Sequence, residues 1–163
     1  MKIKDQSKKL TIIILSYNRQ NEILKKINFW SKYNFNILIM DGSKKKLKFA
    51  HTFKNIRYFH LHEFDYYKRL FFISKKIKTK YIKLESDDDY FSPSALIDGV
   101  NFLDSNRNFS AVAGQCGIYS SYNDKVYINS IFNNKNSLVS NSTILRVKKF
   151  FENYNPSIFY SIT

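Results

Sequence analysis

One cysteine, two prolines and four glycines are all that this 163-residue chain contains of those three residue types. The lone thiol, Cys116, excludes an internal disulfide and a cysteine-ligated zinc site. It reads as a small buried hydrophobe. So little glycine and proline excludes a low-complexity linker protein. Acidic residues are scarce too, 13 against 27 Lys and Arg, for a formal net charge of +14. No apolar run approaches the roughly 20 residues needed to cross a bilayer. The opening MKIKDQSKK is charged and has no apolar centre, so a cleaved secretion signal is not expected. The expectation is a soluble, cytoplasmic protein, compatible with a reducing compartment. Its lysines suit peripheral contact with an anionic membrane surface.

What is present argues for a folded domain. Hydrophobic residues make up 44% of the chain and aromatics 17%, too many for a disordered one. The length suffices for one domain with a sizeable core. The basic surplus favours polyanions: nucleic acid, anionic lipid headgroups or phosphate-bearing small molecules. The lysines are scattered, however, with a triple run only at Lys44–Lys46. No RNA-recognition or helix-turn-helix pattern accompanies them, so specific nucleic-acid binding is not expected.

The periodicity alternates strand and helix. Leu10–Ser16 is a continuous apolar, β-branched run, as in a strand buried on both faces of a parallel sheet. A helix follows over about 20–32, with Ile23, Ile27 and Trp30 inward. Asn36–Met40 and Ile56–Leu61 read as strands, and Tyr66–Lys76 as a helix with Tyr66, Leu70, Ile73 and Ile77 on one side. Tyr81–Leu84 is a fourth strand. Ser92 then caps a helix that starts at Pro93 and carries Leu96, Val100 and Leu103 inward. The economical fold is α/β, a Rossmann-like, mostly parallel sheet flanked by helices. Beyond Phe109 the pattern weakens. Ala111–Gly114 and Gly117–Tyr119 suit strands, Tyr122–Ile128 a hairpin through Asn123-Asp124, and Ser142–Asn153 a helix. Asn133–Ser142 reads as a polar loop and Pro156–Thr163 as an extended apolar strand.

The most unusual stretch in so basic a chain is KYIKLESDDDYF, residues 80–91. A strand leads into Asp87, Asp88 and Asp89. Adjacent carboxylates repel, and a cation between them relieves that cost. An all-oxygen donor set suits Mg²⁺ or Mn²⁺, with positions left open for a phosphate. The alternative is a solvated acidic turn. Ligands of parallel α/β sheets gather outside the carboxyl ends of the strands. Ser16–Arg19, Asp41–Ser43 and Asp87–Asp89 all fall there on this reading.

In this order and spacing the chain resembles the family 2 nucleotide-diphospho-sugar glycosyltransferases of the A-type fold. The matching pieces are LTIIILSYNR (10–19), NILIMDGS (36–43), Arg69, and TKYIKLESDDDYFSPSAL (79–96). The resemblance covers about residues 10–115, as a nucleotide-sugar-binding half. Residues 116–163 would be a partial acceptor half. It implies that Ser16, Tyr17, Asn18 and Arg19 lie along the nucleotide, with Tyr17 and Asn18 at the base. Asp41 would accept a hydrogen bond from the base, and Arg69 would sit near the diphosphate. One aspartate of the triplet would touch the ribose, with Asp87 and Asp88 on the nucleotide. Asp89, with Asp87, would hold Mn²⁺ or Mg²⁺ in a DXD-type motif. The register is open: Asp87/Asp89 and Asp88/Asp89 both fit, and Glu85 enters in a shifted frame. The implied partners are a nucleotide-diphospho-sugar donor and a glycan or lipid-linked acceptor in polysaccharide assembly.

The chain departs from that family in its second half. An inverting transferase needs a carboxylate base for the acceptor hydroxyl. Late in the sequence only Asp124 and Glu152 remain as weak candidates, neither in a matching motif. The ending NPSIFYSIT resembles a segment that continues in relatives, so the acceptor half reads as incomplete. Two alternatives stand beside the enzyme: a nucleotide-sugar-binding remnant without activity, and a basic nucleic-acid-binding α/β domain. Several residues also carry plain structural readings. Asp41 suits an Asp-Gly turn. Arg69 suits an ion pair with Asp65 one turn back. His60 and His62 alternate as in an exposed strand face, or less readily as a metal pair. His51 has no partner nearby. Phe71, Phe72, Phe91 and Phe102 are expected in the core.

Overall fold

The computed structural model describes residues 6–48, 53–114, 116–129 and 139–153. The chain divides into two compact units, Met1–Val112 and Ala113–Thr163. In the first, strands β1 (Leu10–Ser16), β2 (Asn36–Asp41), β3 (Ile56–His60) and β4 (Tyr81–Ser86) form one sheet in the order β3-β2-β1-β4. All three pairings are parallel. Helices α1 (Gln20–Trp30), α2 (Tyr66–Ser74) and α3 (Pro93–Ser105) flank it. This is the α/β, Rossmann-like arrangement expected from the strand–helix alternation. The expected elements end within two residues of the observed ones.

The local causes are plain. β1 lies between β2 and β4, and six of its seven residues are buried, which is why its sequence runs apolar without alternation. Asp65 caps α2 by accepting from the Lys68 amide at 2.8 Å. Ser92 caps α3 through the Ala95 amide at 3.4 Å, with Pro93 in the first turn, where its missing N–H costs nothing.

The sheet has a core on each side. Ile12 and Ile14 of β1 and Ile37 and Ile39 of β2 meet Ile23, Ile27 and Trp30 of α1 and Val100 of α3. Ile13, Leu38 and Met40 face the other way, onto Ile73 of α2. One polar pair lies inside the first core. Lys26 of α1 reaches the Glu85 carboxylate of β4, and neither side chain is exposed to solvent. Trp30 Nε1 donates to the other Glu85 oxygen at 3.0 Å, and the Lys26 ammonium sits 3.8 Å from the centre of the Tyr90 ring. Burial pushes the Glu85 carboxyl up, and the bonds from Lys26 and Trp30 oppose that. Glu85 therefore joins helix to sheet. It is not free to enter the acidic motif in a shifted frame.

At the opposite end of the sheet Asp104 ties three elements. It accepts from Lys9 at 2.5 Å, Lys80 at 2.8 Å and the Tyr81 hydroxyl at 2.8 Å. Lys80 and Lys9 hold its carboxyl far below the usual carboxylate range. A depressed folded pKa stabilises the fold above the unfolded value of about 3.9, and the effect is lost as pH falls through the folded value. Urea midpoints should therefore drop below about pH 4 in wild type. Asp104→Asn should be less stable at neutral pH and flatter across the acid range.

Several expectations change. Phe72 and Phe91 pack on the two cores, but Phe71 is 64% exposed and Phe102 37%. Both lie on helix faces turned away from the sheet. Ala111–Gly114 forms no strand. In the second unit β5 (Cys116–Ser120) pairs antiparallel with β6 (Lys125–Asn129), so the hairpin turns through 121–124 as the Asn123-Asp124 pair suggested. α4 spans Thr143–Asn153. His51, the Cys116 side chain, most of the polar stretch 133–142 and the expected strand at 156–163 lie outside the described residues. No helix among the described residues is long and apolar enough to cross a membrane.

Candidate functional site at the carboxyl edge of the sheet

The strand order reverses between β1 and β4, so a crevice opens outside their carboxyl ends. Three loops meet there. Gly42 N donates to Ser16 O at 3.0 Å, joining the ends of β1 and β2. Asn18 adopts a left-handed conformation, φ 57°, which Asn tolerates better than most residues. Its amide donates to Ser43 Oγ at 2.7 Å. Ser16 Oγ donates to Asp87 Oδ2 at 2.6 Å, a buried bond across the point of reversal.

The acidic triplet is not uniform. Asp87 is buried, while Asp88 and Asp89 are exposed. The Arg19 guanidinium joins the first two: Nη1 lies 2.6 Å from Asp88 Oδ2 and 3.3 Å from Asp87 Oδ1. That hydrogen bond lowers the Asp88 pKa, and Asp88 and Asp87 raise that of Arg19. Two carboxylate oxygens thus converge on a single cationic nitrogen. Asp89 takes no part in this cluster, so the pair that converges is Asp87 with Asp88. Beside it lies an open depression of about 600 Å³, lined by Asn18, Arg19, Gln20, Asn21, Glu22 and Asp88. Tyr17 stands 56% exposed next to it in sequence.

Asp41 is fully enclosed. One carboxylate oxygen accepts from the Ser43 amide at 2.8 Å and from the Ser43 hydroxyl. The other accepts from the Tyr58 hydroxyl at 2.6 Å. Burial, with that bond, drives the Tyr58 pKa up, so Tyr58 stays a donor. Asp41 therefore builds the loop after β2, and both of its oxygens are engaged inside the protein. His60 also serves this loop, meeting the Ser43 carbonyl at 2.7 Å. The His60 and His62 rings stack 4.9 Å apart, and His62 meets Glu63 at 2.5 Å. They do not converge as metal ligands.

Arg69 does not pair with Asp65, whose side chain is taken by Lys68. Its guanidinium lies over Gly42, and its Nε is buried without a hydrogen-bond partner among the described residues. A Cβ built on Gly42 would collide with the guanidinium, so the glycine leaves room for the arginine at the sheet edge. Gly42→Ala should cost little stability, under about 1 kcal/mol, because the far end of a long side chain can swing away. It should displace the Arg69 guanidinium nonetheless. Paired unfolding curves and anion titrations would separate the two effects.

No protein-family model and no curated protein matches this chain. The site therefore stands on its own geometry. Among the described residues no three His, Cys, Asp or Glu side chains group to hold a metal ion. The Asp87–Asp88 donor set still suits a hard cation of one kind. Magnesium-type ions bound with nucleotides commonly take one or two carboxylates and fill their shell with phosphate oxygens and water. Of the expected residues, Ser16, Asn18, Arg19, Asp41, Asp87 and Asp88 are knit together through these bonds, and Arg69 rests on the Gly42 beside Asp41. Asp124 and Glu152 belong to the second unit. Asp124 sits in the hairpin turn with φ 52° and accepts from the Tyr119 hydroxyl at 2.8 Å. Glu152 lies 3.8 Å from Lys148, one turn back on α4. Lys26 is not singled out in the sequence, and Ser43 only as the end of the Asp41–Ser43 cluster. The Asp-x-Ser spacing marks Ser43 as the close of an Asx turn. Lys26 shares the helix stripe of Ile23, Ile27 and Trp30, which marks it as inward-facing.

Proposed function

We propose that this protein binds a nucleoside-diphosphate sugar at the carboxyl edge of its sheet and transfers the sugar to an acceptor hydroxyl, as a family 2 glycosyltransferase of the A-type fold. The observation that carries the reading is the convergence of Asp87 and Asp88 on one cationic nitrogen at the sheet's point of reversal. Asp87 and Asp88 would hold Mg²⁺ or Mn²⁺ together with the diphosphate. The bound ion neutralises negative charge that grows on the departing nucleoside diphosphate. Arg19 keeps the two carboxylates together in the absence of ligand and turns its guanidinium to phosphate when the diphosphate enters. Arg69 offers a second guanidinium over Gly42. Tyr17 and Asn18 frame the base, and Asp41 acts by fixing the Ser43 loop on which Asn18 rests. The acceptor is a glycan or a lipid-linked sugar, as in surface polysaccharide assembly.

A second reading within the same fold is a donor-binding domain without transfer. It is favoured by the engagement of both late acids, Asp124 with Tyr119 and Glu152 with Lys148. Nucleic-acid binding is disfavoured, because exposed Asp88 and Asp89 at the crevice repel a phosphate backbone. Calorimetric titration of nucleoside diphosphates with and without Mn²⁺ tests the shared part of both readings. Metal-dependent binding of one base is expected, and binding of none would overturn both. Product analysis with the matching nucleotide-sugar then separates transfer from binding alone.

A further inference from the structure

α2 is amphipathic in the opposite sense from a surface helix that meets only water. Its inner side carries Ile73, fully buried, with Leu70 and Phe72 packed on the core. Its outer side presents Tyr67 and Phe71, one turn apart and 80% and 64% exposed. Phe64, 38% exposed, precedes the helix. Large aromatics in water at i and i+4 contribute nothing to the sheet core. They leave two aromatic rings on the solvent side of one helix.

The surrounding charge decides what that face fits. Lys75 and Lys76 follow the helix and Lys78 comes two residues on. The Lys75 ammonium lies 4.1 Å from the centre of the Phe71 ring and that of Lys76 lies 5.0 Å from Phe72. The Lys75 ammonium thus sits against the exposed aromatic side, while that of Lys76 rests on the ring that packs inward. The acids nearby are already engaged: Asp65 by Lys68 at 3.4 Å and Glu63 by His62 at 2.5 Å. A protein partner with a matching apolar pocket would not require this basic border. An anionic bilayer supplies both an apolar layer for the rings and phosphate headgroups for the ammonium groups.

We infer that the outer face of α2, Tyr67 and Phe71 with Lys75, Lys76 and Lys78, docks on an anionic phospholipid surface. This is independent of the reaction at the carboxyl edge. It turns a general basic surplus into one oriented contact.

Co-sedimentation with vesicles tests it, using phosphatidylcholine alone and phosphatidylcholine with one quarter phosphatidylglycerol. Wild type should partition onto the anionic vesicles and be released by 0.5 M salt. Tyr67→Ser/Phe71→Ser should weaken partitioning about tenfold or more, since each buried aromatic adds apolar area at the interface. Lys75→Gln/Lys76→Gln/Lys78→Gln should weaken it by roughly a hundredfold. Tyr67, Phe71, Lys75 and Lys78 are exposed and Lys76 is half-exposed, so circular dichroism should match wild type. The control removes the same charge elsewhere, Lys44→Gln/Lys45→Gln/Lys46→Gln, and should change partitioning far less. Equal loss from the control would overturn the inference. So would failure of wild type to partition, indifference to the aromatic changes, or tighter binding to polyuridylate than to the vesicles with the same dependence on Tyr67 and Phe71.

Discussion

Glu85→Gln is expected to cost about 3–5 kcal/mol of folding stability. The substitution leaves the Lys26 ammonium fully buried with no anion opposite it. Tyr90 offers only the face of its ring, 3.8 Å away. Trp30 keeps its indole N–H near the new amide, which can turn its oxygen toward only one donor. Lys26→Met should be milder, because methionine fills the volume and takes its charge out of the core. It still strands the Glu85 carboxylate, which burial already disfavours. The double change Lys26→Met/Glu85→Leu removes both charges and should recover much of the loss, as when buried ion pairs elsewhere are replaced by apolar groups. Urea unfolding of the four proteins gives the coupling energy directly. Near-additive losses would show that the pair does not act as a unit.

The consequence reaches the crevice. Glu85 lies two residues before Asp87, and Tyr90 lies two after Asp88. The acidic turn is therefore held at both sides by Lys26, through its ion pair and through the ring of Tyr90. Phe29 backs that ring edge-on at 5.1 Å. A core substitution that frees Lys26 should loosen the turn and lower ligand affinity as well as stability.

Asp88→Asn is the second large expectation. Asp88 supplies the shorter of the two contacts to Arg19, and its side chain is 55% exposed. The change should leave the urea midpoint almost unmoved, since exposed ion pairs contribute at most about 1 kcal/mol. On the proposed function it should weaken metal-dependent nucleotide binding by about a hundredfold or more, since one of the two carboxylates that would hold the ion is lost. Arg19 then keeps only Asp87. Asp89→Asn should do far less, because Asp89 stands apart from the pair. Asp87→Asn is less informative, as it also disturbs the buried bond from Ser16.

The fold was legible because β1 and β2 are buried on both faces and read as unbroken apolar runs. The caps at Asp65 and Ser92 follow from side chains that satisfy the first helical amides. Which polar clusters share an edge was also legible, since parallel strands put every carboxyl end on one side. What each residue does there was not. Asp41 looked available because the sequence does not show that Tyr58, 17 positions on, and Ser43 close over it. Arg19 looked like a neighbour of the base, yet it follows a left-handed Asn18 and reaches Asp87 and Asp88, 68 and 69 positions on. Glu85 looked like part of the acidic run because its partner lies 59 residues earlier on another element. Phe71 looked like core because a nine-residue helix offers little period to tell its two faces apart.

The most direct measurement is anomalous diffraction from crystals grown with Mn²⁺ and the nucleoside diphosphate that binds best. A manganese peak in bonding contact with Asp88 and with the diphosphate, with Arg19 Nη1 moved off the carboxylates, is the predicted result. A nucleotide bound without manganese at this edge, or manganese bound away from Asp87 and Asp88, would contradict it.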